Sequence, residues 1–155
     1  MIQNVKVRSE FEQKLDLEER EYRIENSTAE DILRIKEKVF FIDKDILVIE
    51  ELAHPTEFNQ ILFFEKMQEL ILPHFTFYLL IDLTKVKEKK NDSAHRDRLK
   101  KTFKYYRRQI LHNAIAIEGN ILIKLAAKIV MRGNVNSLSF HSNFSEARKK
   151  IEQLK

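Results

Sequence analysis

The chain contains no cysteine, and only two glycines and two prolines among 155 residues. Lack of cysteine removes disulfide staples, thiolate catalysis and cysteine-ligated zinc together. Two glycines are too few for a phosphate-cradling loop: neither G-x-G-x-x-G nor G-x-x-x-x-G-K-[ST] occurs, and the G-x-S-x-G elbow of serine hydrolases is also missing. No Pro- or Gly-rich linker, internal repeat or low-complexity tract interrupts the chain, so its elements must join through short polar turns. The longest uncharged run, LILPHFTFYLLI, is too short to span a bilayer and contains Pro73. The opening MIQNVKVRSEFEQK has no apolar core of the kind that marks a secretory signal, so a cytoplasmic location is expected.

What remains is a chain of ordinary globular composition, 43% hydrophobic and 34% charged, long enough for one domain with a sizeable core. Its net charge of +4 is unevenly placed. Residues 1–31 carry five basic and nine acidic side chains, whereas residues 85–108 carry eleven basic and three acidic ones. Such asymmetry points to an anionic partner or an intramolecular contact more readily than to catalysis.

Residues 1–30 read as an acidic extension, with a helix from Arg8 to Arg20 and a strand-like EYRIEN. The domain proper is expected over 31–155, its core pattern starting near Ile32. VFFID and ILVIE, separated by Asp43-Lys44-Asp45, read as a β-hairpin. Pro55 and Thr56 open a helix on which Phe63, Met67, Leu70 and Ile71 recur at helical spacing, and Pro73 stops it. FTFYLLID is apolar at nearly every position, as a central strand covered on both faces should be. Asp92 or Ser93 can cap the next helix, which shows an inward stripe of Leu99, Phe103, Tyr106 and Ile110. NAIAIEG reads as a strand, Asn120 as a cap and ILIKLAAKIVMR as a helix ending at Gly133. SLSFH reads as the last strand. Asn143 and Glu146 have the spacing of a capping box for SEARKKIEQL. The order β-β-α-β-α-β-α-β-α implies an α/β sandwich with a mainly parallel sheet and an antiparallel hairpin at its start.

This order, together with IDLT (Ile81 to Thr84), DSAHRDRL (Asp92 to Leu99), AIAIEGNILIKLAAKIV and the closing SFHSNFSEARKKIEQL, resembles the STAS fold of sulfate transporters and anti-sigma-factor antagonists. It is most similar to small bacterial STAS-like proteins over about residues 32–155, with Phe144, Glu146, Ala147 and Leu154 at the family's "F…EA…L" positions. The resemblance implies a regulatory, protein-binding module. Antagonists carry D-x-S/T-x-x-x-x-x-D-S-S-G, whose second serine accepts phosphate. Asp82, Thr84, Asp92 and Ser93 match that pattern, but Ala94 replaces the modified serine, His95 replaces the glycine and the loop is two residues longer. Phosphorylation at the usual position is therefore not expected, and Ser93 is the substitute acceptor to consider beside its role as a cap.

Asp82 and Asp92 are expected to organise their loops through backbone N–H groups, although Asp82 also sits where open α/β sheets bind ligands. The histidines at 54, 74, 95, 112 and 141 show no ligand spacing and read as cap, turn or surface residues, His112 near a helix end. No metal, no cofactor and no catalytic residue is assigned, and the expectation is a protein that is not an enzyme. The candidate partner- or anion-binding residues are Lys89, Lys90, Arg96, Lys100, Lys101, Lys104, Arg107 and Arg108, interleaved with Tyr105 and Tyr106. A solvated helix face is the competing reading. Ile121, Leu122, Leu125 and Ile129 form a candidate apolar interface, since Lys124, Lys128 and Arg132 leave most of that helix apolar. The expected partner is a protein or a second copy of the chain. An anionic lipid or small anion is the alternative, and nucleic acid is not expected because no reader motif accompanies the charge.

Overall fold

The computed structural model describes residues 20–87, 93–119, 132–133 and 135–155. Most of the expected helix at 8–20, Lys89, Lys90 and Asp92 lie outside the described residues. So do Asn120 and residues 121–131 of the expected helix, with Ile121, Leu122, Leu125 and Ile129, and the side chain of Ser93.

Among the described residues five strands form one mixed sheet: β1 (Val39–Ile42), β2 (Ile46–Glu50), β3 (Phe77–Asp82), β4 (Ile110–Ala116) and β5 (Leu138–His141). Their spatial order is their chain order, with β1 antiparallel to β2 and the remaining pairs parallel. Four helices are described: α1 (Ala29–Lys36), α2 (Glu57–Leu70), α3 (Ser93–Tyr106) and α4 (Phe144–Leu154).

Period-two alternation divides the strand side chains between two faces. Leu47, Ile49, Phe77, Leu79, Ile81 and Ile115 point to the face covered by Ile35 of α1, Leu62, Phe63 and Met67 of α2, and Phe103 and Tyr106 of α3. Ile46, Val48, Leu80, Ala114 and Ala116 point to the other face, where Ala147 and Ile151 of α4 pack. Full burial of each large aliphatic side chain contributes about 1.5–3 kcal/mol, which explains why β3, apolar on both faces, occupies the middle of the sheet.

The hairpin turns without glycine. Asp43 and Lys44 both adopt positive φ, 51° and 70°, and the twist of two paired strands favours that geometry. Asp43 is also tied to Arg148 of α4, and Asp45 to Lys155, the residue that follows α4. Thr56 caps α2 by accepting the Asn59 N–H at 3.2 Å. Asn143 caps α4 by accepting the Glu146 N–H at 2.9 Å, while the Glu146 carboxylate accepts from the Ser142 hydroxyl at 2.8 Å.

Three local readings are corrected. EYRIEN is not a strand: Glu21 to Arg23 are irregular and Ile24–Asn26 form one 3₁₀ turn. Asn26 takes over the local backbone bonds, accepting from Arg23 N at 2.9 Å and donating to Glu21 O at 3.0 Å, a competition that disfavours extended pairing. Ahead of the hairpin lies α1, opened by a reciprocal capping box between Thr28 and Asp31. The third correction concerns Ile110, which begins β4 and does not extend the α3 stripe; α3 ends at Tyr106. Partner positions jump from Phe77–Ile110 to Tyr78–His112, so Leu111 is an extra bulged residue. The bulge turns His112, at 5% exposure, into a buried strand residue and not one near a helix end.

Candidate functional site

At the amino-terminal edge of β3 and β4 the chain opens a cleft of about 1030 Å³. Its walls are the end of α2 with the following turn (Gln68 and residues 71–74) and the end of α3 with its exit (residues 104–109), and Asn136 completes it ahead of β5.

The cleft is held open by a dense set of bonds. Gln109 donates its side-chain amide to the carbonyls of Leu72 at 3.1 Å and Phe75 at 2.9 Å. Its own carbonyl accepts from Phe77 N at 2.9 Å. One residue thus fixes the turn after α2, in which His74 adopts a positive φ of 64°, to the entry of β3. Across the cleft Arg107 Nε donates to Asn136 Oδ1 at 2.9 Å, which orients its guanidinium.

Aromatic packing supports the wall. Phe64 meets Tyr105 edge-on at 5.3 Å, and Tyr105 meets Tyr106 at 4.8 Å between ring centroids. Tyr106 is buried, and burial reinforced by Tyr105 pushes its phenol up to about 12. It therefore stays a neutral donor at physiological pH. Tyr105 and Leu72 do the reverse: they leave 64% and 70% of their surface exposed at the rim. Lys104, Arg107 and Arg108 are exposed beside them. Among the described residues no carboxylate lines the cleft. The local field is cationic, the rim is apolar, and the geometry suits a ligand that brings negative charge together with a hydrophobic group.

The basic residues expected to act together are divided by the structure. A helix of 14 residues spans roughly 20 Å, so Arg96 lies at one end of α3 and Lys104 at the other. Lys100 and Lys101 are exposed between them. Lys104, Arg107 and Arg108 also complement the negative carbonyl end of α3, a purely structural role worth about 0.3–1 kcal/mol each.

Asp82 lies at the opposite, carboxyl-terminal edge of the sheet. Its Oδ1 accepts from the Thr84 N–H at 2.9 Å and the Thr84 hydroxyl at 2.6 Å. Among the described residues no histidine is hydrogen-bonded to it. Nearby, Glu51 is buried directly after β2. Its carboxylate accepts from Leu52 N at 2.9 Å and from the Gln60 side-chain amide.

A second polar constellation was not legible from histidine spacing. His112 Nδ1 and Nε2 lie 2.6 Å from the hydroxyls of Ser137 and Ser139, and the Ser139 hydroxyl lies 2.7 Å from His141 Nε2. The alternation Ser137, Ser139, His141 along SLSFH is the available signal, since period two places all three on one face. Among the described residues no group of three or more histidine, aspartate or glutamate side chains is arranged to hold a metal ion, and no helix is long and apolar enough to cross a membrane. No protein-family model, curated protein or solved structure matches the chain.

Proposed function

We propose that the chain is a non-catalytic, STAS-like regulatory module that binds another protein through the cleft at the ends of α2 and α3. The observation carrying this reading is the meeting of exposed Leu72 and Tyr105 with Lys104, Arg107 and Arg108 around one braced concavity. An apolar anchor surrounded by charge is the usual composition of a protein-recognition patch. The consecutive strand order of the described residues, with its antiparallel hairpin at the start, supports the STAS-like assignment, which rests otherwise on the sequence resemblance. With Ala94 in the acceptor position, regulation does not run through phosphorylation of the usual serine.

The test is quantitative co-purification. The tagged chain and a variant carrying Lys100→Glu, Lys104→Glu and Arg108→Glu are isolated under identical conditions, and the associated proteins are measured by mass spectrometry. A specific partner recovered in near-equimolar amount with the unaltered chain, and depleted with the variant, supports the reading. Equal recovery contradicts it. A lipid or small anion found in native mass spectra, with no protein partner, favours the alternative ligand class.

A further inference from the structure

We infer that the ligand of the α2–α3 cleft is an acidic peptide segment anchored by one bulky apolar side chain. This rests on the protein-binding reading above and narrows it to a ligand class. Charge complementarity comes first. Lys104, Arg107 and Arg108 line the cleft without any carboxylate among its described lining residues, so an occupant carrying aspartate or glutamate is attracted and a cationic one repelled. The apolar component follows from Leu72 and Tyr105, which stand exposed on opposite walls at 70% and 64% and gain most from enclosing a hydrophobic side chain. A cleft of about 1030 Å³ holds several side chains and not just a lone inorganic anion.

Backbone chemistry selects a peptide over a lipid. The C-terminal turns of α2 and α3 form the two walls. Helix ends present carbonyl acceptors, of which those of Met67, Lys104 and Tyr106 are already taken by the N–H groups of Ile71, Arg107 and Gln109. Peptide N–H groups can donate to the remaining ones, whereas a hydrocarbon chain would bury them without compensation. A concave, braced site also fits a single extended segment better than a flat bilayer surface.

The experiment uses the full chain and a phage-displayed random 12-residue library. Selected peptides are resynthesised with a fluorophore and titrated by anisotropy. The expected result is enrichment of sequences combining Asp or Glu with Trp, Phe or Leu. Their affinity should fall about tenfold or more with Leu72→Glu and with Arg108→Glu and stay unchanged with Lys85→Glu on the opposite edge of the sheet. All three positions are exposed, and circular dichroism verifies that each variant is folded. No enrichment, enrichment without acidic residues, or binding indifferent to Leu72→Glu overturns the inference. So does sedimentation with phosphatidylglycerol vesicles that is lost in Arg108→Glu, an outcome that selects anionic lipid. A co-purified partner that depends on Lys100 and Lys104 but not on Leu72 leaves the protein-binding function standing and removes only this ligand class.

Discussion

The side-chain amide of Gln60, in the first turn of α2, reaches the buried carboxylate of Glu51 at the end of β2. Burial pushes Glu51 up to about 7 from its ordinary 4.5, against the opposing effects of the Leu52 N–H and the Asn59 and Gln60 amides. A raised carboxyl pKa in the folded chain contributes stability that is complete below 4.5 and is lost as pH rises through 7. Glu51 by itself should therefore weaken the folded chain by about 2–3 kcal/mol between pH 5 and pH 9. Glu51→Gln, with Gln60 flipped to present its carbonyl, should flatten that decline in urea titrations. An unchanged pH slope would show that Glu51 is not the responsible group.

His112 and His141 act on the acid side. Burial lowers both, helped by Lys150, while Glu146 partly opposes the shift at His141. Depressed imidazole values leave stability intact above about 6.5, the unfolded value, and remove it as pH falls through the folded values. His112→Gln should reduce the loss of stability between pH 7 and pH 5, measured by urea midpoint. Because Ser139 has one hydroxyl proton and faces an Nε2 on each side, it donates to one ring and accepts from the other. Long-range ¹H–¹⁵N spectra at neutral pH should find the two histidines as opposite tautomers. Identical tautomers would refute the shared hydroxyl.

Asp82 has a structural assignment open to test. Its carboxylate fixes the chain after β3 by accepting two bonds from Thr84. Asp82→Ala should cost about 1–2 kcal/mol, and Asp82→Asn, which keeps an acceptor, less than half of that. Urea denaturation of both variants checks the ranking, and equal losses would mean that the charge, not the turn, matters.

Tyr22 is fully buried, and its carbonyl accepts from the Thr56 hydroxyl at 2.7 Å. Tyr22→Ala should cost about 3–5 kcal/mol, whereas Ile24→Ala, at a site 76% exposed, should change stability by about 0.5 kcal/mol or less. Thermal or urea unfolding separates the two cleanly.

Legibility followed sequence locality. The hairpin, the Thr56 cap, the central strand and the Asn143 cap each lie within a few residues, where spacing and side-chain chemistry act together. Tyr22 was hidden because it joins the core from an acid-rich stretch with no period of its own. His112 was hidden by the bulge at Leu111, which breaks the alternation that would have placed it on a buried face. Lys104, Arg107 and Arg108 were visible as charge, but Leu72, Gln109 and Asn136 were not visible as their neighbours. Three stretches of chain converge at the cleft only after the parallel strands align, and no single stretch encodes that meeting.

Photo-crosslinking tests the recognition site most directly. A benzophenone amino acid placed at Tyr105, on the cleft rim, is compared in the host cell with the same group at Leu154, an exposed position on α4. The expected result is one discrete crosslinked polypeptide at position 105, abolished by Arg108→Glu and absent at position 154. Crosslinking of equal extent at both positions, or none at 105, would contradict a partner seated in the cleft.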